Sequence, residues 1–138
     1  MSEEQHEVTS GAGWKAGNLD AMGDGPGFRK VREQLGVTEM GVNAVAMPSG
    51  IGSGAHWHDR QEEVYFVHSG TLRFTFGEHD DEQVVLGPGG VLRVAPSTQR
   101  SIANIGDGEA LYICFGAEGG YVGRDGQMRE GQERIVQL

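Results

Sequence analysis

Two histidines one residue apart, His56 and His58, followed after four residues by a glutamate, Glu63, form the segment of this chain best suited to chemistry. Side chains alternate between the faces of an extended strand, so His56 and His58 point one way and Trp57 the other. The intervening Asp59 to Glu62 are enough to turn the chain and return Glu63 on a neighbouring strand. Two neutral imidazoles and a carboxylate converging in this way make a ligand set for a divalent transition metal such as Fe, Mn, Zn or Ni. Further coordination positions are left for water or a substrate. The plainer reading, two surface histidines beside a turn glutamate, loses weight because glycines crowd the segment at Gly50, Gly52, Gly54 and Gly70.

Such a site has to be built by strands, and short stretches of β character run through the chain: 28–31, 41–47, 64–67, 71–76, 84–86, 91–94, 101–105 and 111–115. None is long enough to be read as a helix. The separators carry turn chemistry, among them Pro48-Ser49-Gly50, Ser69-Gly70, Gly87-Pro88-Gly89-Gly90 and Gly106-Asp107-Gly108. Short strands with this punctuation argue for an all-β sandwich or barrel. Alternation is plain at residues 71–76, where Leu72, Phe74 and Phe76 share a face. The expected organisation is one domain, with an irregular N-terminal arm over 1–27, a barrel over 28–118 and a C-terminal tail over 119–138. The terminal Ile135-Val136-Gln137-Leu138 is a candidate strand for the barrel or for a partner.

Strand parity sorts the remaining candidates. Tyr65 and Val67 share the face of Glu63 and should line its pocket, whereas His68 has the opposite parity and should face away. Trp57 and Phe66 belong to an outer core or a subunit contact. His79 lies in an acidic turn and His6 in the arm, both solvated, and Cys114, within an apolar run, reads as a buried thiol without a disulfide partner.

The spacing of Gly50, His56, His58, Glu63 and Gly70 resembles the complete first motif of the cupin superfamily, and Gly90, Pro96 and Asn104 resemble the second. The resemblance covers about 41–115 and implies a small jelly-roll barrel with a metal pocket inside, commonly assembled as a dimer. The second motif departs from the family pattern, which usually supplies a histidine as fourth ligand. Counting back from Asn104 puts Arg100 at that place; counting forward from Pro96 puts Ser101 there. Arg100 is preferred, because Arg100, Ile102 and Asn104 then share a face. A guanidinium has no acceptor and cannot replace an imidazole, so metal occupancy is weaker than for an intact motif.

Composition narrows the function. With 11 Lys and Arg against 20 Asp and Glu and a formal net charge of -9, nucleic acid and anionic membranes are poor partners. A single cysteine and an N-terminus without a basic start or apolar stretch point to a cytoplasmic protein. The apolar Trp57, Phe66 and Ile135-Val136 favour a homodimer. Three functional readings follow. In the first, a metal-dependent enzyme, oxygenase- or isomerase-like, acts on a small anionic molecule, with Arg100, Tyr65 and Asn104 contacting it. In the second, the same pocket binds a small molecule without turnover. In the third, Arg100 pairs with Glu63 and closes a relic pocket. No nucleophile elbow or phosphate loop is present in the sequence.

Overall fold

The structure, a computed structural model, describes residues 7–138; His6 lies outside them. It is all-β apart from one short helix and a single 3-10 turn. In chain order the strands are β1 (Thr9–Gly11), β2 (Trp14–Ala16), β3 (Gly27–Arg29), β4 (Gly41–Met47), β5 (Ile51–Gly52), β6 (His56–His58), β7 (Glu62–Ser69) and β8 (Leu72–Phe76). They continue with β9 (Glu82–Leu86), β10 (Val91–Val94), β11 (Arg100–Asn104), β12 (Ala110–Ala117), β13 (Gly126–Met128) and β14 (Val136–Gln137). The helix α1 spans Val31–Leu35, and Gly36, in the left-handed conformation, closes it.

Two antiparallel sheets enclose the core. One runs in the order β10-β7-β12-β4-β3; the other runs β13-β6-β11-β5-β14, with β8 and β9 branching from β11. The inward positions of the strands supply the apolar interior, with Val45, Met47, Tyr65, Val67, Leu72, Phe74, Val94, Ile102, Ala110 and Tyr112 buried together. Tyr65, Phe74 and Tyr112 meet at its centre, the Tyr65 and Phe74 rings 5.5 Å apart edge to face. Val67, Leu72 and Phe74 are fully inaccessible, as the alternation of their strands requires.

Strand β11 positions the site. It pairs with β8 along its length, with β5 at Ala103↔Gly52 and with β6 at Arg100↔His56. Its far end is fastened by Asn104, whose amide nitrogen donates to the carbonyls of Met47 (2.7 Å) and Gly108 (2.8 Å) and whose oxygen accepts from Gly106 N–H (2.9 Å). Both amide hydrogens and the oxygen are thereby engaged with backbone, so Asn104, expected to contact a ligand, acts as a buckle for the β11–β12 turn. Gly70, in the turn after β7, has φ +85, and a Cβ there would lie 2.5 Å from that of Ala110.

The described residues on both sides of the barrel carry short regular elements. Residues 7–26, in the arm expected to be irregular, hold the β1–β2 hairpin, the 3-10 turn Leu19–Ala21 and the buried Met22, and α1 follows where no helix had been read. These pieces are too short and too exposed for hydrophobic periodicity to mark them. In the tail, β13 adds to β6 and β14 to β5 of the same chain. Arg129 clasps the tail to the barrel, with hydrogen bonds to Asp80, Gln99 and the Gly77 carbonyl.

Candidate metal centre

Strand β6 lies between β11 and β13, which fixes His56-Trp57-His58 in extended form and sends both imidazoles to one side. Their ring centroids are 5.5 Å apart. Glu63 returns on β7, and one ligand atom from each of His56, His58 and Glu63 lies within 4.8 Å of the others. Among the described residues this is the group able to hold a metal ion. A cavity of about 740 Å³ opens over it, lined by residues of both sheets and of both terminal segments.

Glu63 is held from two sides. Tyr65 Oη donates to its Oε1 at 2.6 Å and Cys114 Sγ to its Oε2 at 3.3 Å, while His58 Nε2 stands 3.1 Å from Oε1. Burial pushes the carboxyl upward, but the His58 and Tyr65 hydrogen bonds and the positive charge of Arg100 outweigh it and bring the pKa down to about 2. Glu63 is therefore ionised at neutral pH. Burial first, and Arg100 second, lower His56 to about 4, so its imidazole is neutral and carries a lone pair to donate. Burial also drives Tyr65 and Cys114 well up, which keeps both as protonated donors to Glu63. Cys114 is thus no ready nucleophile. Its place follows from register, because Cys114 is the partner of Tyr65 across β7 and β12, a pairing that the isolated sequence did not disclose.

The turn between the two halves of the site is closed by a residue the sequence reading missed. Asp125, buried in the tail just before β13, accepts the backbone N–H groups of Arg60 (3.0 and 3.1 Å) and Gln61 (2.8 Å). The same carboxylate lies 3.6 Å from His58 Nδ1. Gln61 also reaches Nδ1, its Nε2 at 3.1 Å, and leaves a buried Oε1 without a partner. Turning that amide over would aim Oε1 at Nδ1 and favour the tautomer in which His58 Nε2 is free to bind a cation. A carboxylate and an amide behind a ligand histidine are the supports that metal sites use to orient imidazoles. The donor set and its surroundings fit a divalent cation. Asp125 lies 62 positions beyond Glu63, as the numbering itself gives, and no local spacing links the two.

The remaining expected residues divide. Tyr65 lines the cavity, whereas Arg100 and Asn104 do not. Arg100, not Ser101, stands opposite His56 and is fully buried. Its guanidinium donates to the carbonyls of Ala95 (2.9 Å) and Pro96 (3.5 Å), with Nε unpartnered. Glu63 pairs with His58 instead of Arg100, and the cavity is open, so the relic reading with an Arg100–Glu63 ion pair is not what the chain adopts. His68 faces outward and His79 lies in the exposed turn, as parity and composition implied.

Residues 44–116 match the cupin domain family. The chain belongs to the cupins. No curated protein matches it significantly. Among solved structures it is similar to an uncharacterized conserved protein with a double-stranded beta-helix domain from Klebsiella pneumoniae, at 17% identity over 83% of this chain and 96% of that one, TM-score 0.69. A cupin protein from Bacteroides fragilis is similar at 24% identity, 91% and 98% coverage and TM-score 0.64. Oxalate decarboxylase from Bacillus subtilis, a protein with Mn(II) centres, is similar at 18% identity and TM-score 0.60; 83% of this chain covers 29% of that one. These likenesses establish the cupin barrel.

If Asp125 orients His58 and closes the turn, Asp125→Ala should weaken zinc binding about 10- to 100-fold, as loss of such supports does elsewhere. Titration calorimetry on the metal-stripped protein, with the circular dichroism spectrum unchanged, measures this. Unaltered affinity would show that the turn holds the ligands without the tail.

Proposed function

We propose that this cupin is a small divalent-metal-dependent enzyme, oxygenase- or isomerase-like, acting on a small anionic molecule. The observation that supports it most is the convergence of His56, His58 and Glu63 within 4.8 Å at the base of an open cavity. The bound cation would supply Lewis-acid or oxygen-activating chemistry. The chain's own residues hold the site: Tyr65 and Cys114 fix the Glu63 carboxylate, and Asp125 and Gln61 fix His58. Arg100 adds a buried positive charge beside His56 that favours anions in this end of the barrel. The Mn(II) of oxalate decarboxylase, similar in fold, is in keeping with Fe, Mn, Zn or Ni here.

A second reading, a non-catalytic small-molecule-binding cupin, draws support from Arg100 at the place where the family's fourth ligand is expected and from the His58–Glu63 contact that a cation would have to divide. Elemental analysis of protein purified without a metal-affinity tag separates the two. The enzyme reading expects about one transition metal per chain, lost in His56→Ala/His58→Ala with the fold retained by circular dichroism and a melting temperature like that of the metal-stripped wild type. Wild-type protein without metal, unable to take it up on addition, would leave the binding reading.

The proposal includes a cytoplasmic location and a homodimer. No helix among the described residues is long and apolar enough to cross a membrane. An apolar strip on the outer face of the first sheet, with Val64, Val91 and Phe115 exposed around Phe66, supplies a contact for a second copy. Light scattering should give twice the 14.8 kDa chain mass; a monomer mass at high micromolar concentration would reject the dimer.

A further inference from the structure

The mouth of the cavity has a charge opposite to that of the protein. Four of the eleven lysines and arginines, Lys30, Arg32, Arg124 and Arg134, line the cavity, against three of the twenty acids. Two of those acids, Glu63 and Asp125, are engaged with His58, Tyr65, Cys114 and the 59–61 turn, which leaves Glu33. Among the described residues, the side chains of Lys30, Arg124 and Arg134 have no hydrogen bond or ion pair. Arg32 lies over the ring of Tyr121, also a lining residue, 4.1 Å from its centroid, and so joins α1 to the tail. A chain of net charge -9 thus gathers positive charge at one opening, where it attracts anions.

All four cations fall outside 44–116, the stretch that matches the family, in the segments that flank it on either side. The lining also has apolar side chains, the more buried Val42, Ile51, Val122 and Met128 and the exposed Phe28 and Ile135. Arg100, the charge that the sequence offered for an anionic ligand, does not line the cavity and spends its guanidinium on backbone carbonyls.

We propose that the ligand is an amphipathic organic anion whose charged group is held at the mouth by Arg124, Arg134, Lys30 and Arg32 while its apolar body fills the passage toward His56, His58 and Glu63. Charge without a protein counter-ion meets the anion, and the apolar wall excludes water around the body. This rests on the proposed reading that the cavity above the histidines is the working site, and it adds where the anion is gripped.

The test compares 4-phenylbutyrate with its uncharged amide by titration calorimetry, on the full chain, metal-free and zinc-loaded. The acid should bind about tenfold or more tighter than the amide in metal-free protein, with a preference that weakens as salt is raised. Arg124→Gln/Arg134→Gln should lose the preference, and because both side chains are exposed the fold should survive; Lys30→Gln/Arg134→Gln gives an independent second variant. Equal binding of acid and amide, binding of neither, or a preference that persists in both variants would overturn the proposal. Acid selectivity in a protein that takes up no zinc would contradict the metal reading and support this one. Zinc uptake without acid selectivity would do the reverse.

Discussion

The site depends on one meeting, between an imidazole at the end of β6 and a carboxylate at the start of β7. His58 Nε2 and Glu63 Oε1 are 3.1 Å apart, and only three residues of tight loop separate the two strands. Asp125 accepts two successive backbone N–H groups of the loop, and that of Gln61 would otherwise be buried unpaired. The tail is consequently part of the site: β13 pairs with β6, Gly126 packs with its Cα where a Cβ would come 3.3 Å from the His58 ring, and Arg129 ties the tail to the β8–β9 turn. The barrel supplies the two strands, and the C-terminal segment braces the turn between them.

Charge balance explains the rest of the interior. Glu63 is ionised in a buried setting, and it is tolerated because His58, Tyr65 and Cys114 donate to it and Arg100 lies close enough to favour its charged form. Arg100 makes no ion pair there, and its guanidinium is satisfied mainly by the carbonyls of Ala95 and Pro96. Burial first, and this positive charge second, keep His56 neutral. Arg100 thus stands behind the His56, His58 and Glu63 cluster as a buried charge held by backbone, outside the cavity lining.

Period-two alternation carried most of the barrel in the sequence, because Tyr65 and Val67 beside Glu63, or Leu72 and Phe74, must share a face whenever the segment is extended. His56, His58 and Glu63 were legible for the same reason, as three residues joined by one turn. The features that escaped depend on long-range register or on short exposed segments. Cys114 reaches Glu63 only through the β7–β12 pairing, Asp125 reaches the turn from the far end of the chain, and α1 and the β1–β2 hairpin lack an apolar period. The backbone partners of Asn104 were not legible either, since parity reveals which way a side chain points and not which backbone groups await it there.

The claim that His56, His58 and Glu63 together form a metal centre is tested most directly by X-ray absorption at the zinc edge of the zinc-loaded wild-type protein. The account predicts nitrogen and oxygen donors with the outer-shell scattering of two imidazoles and no sulfur. A sulfur donor from Cys114, or a zinc surrounded only by oxygen without imidazole scattering, would contradict it.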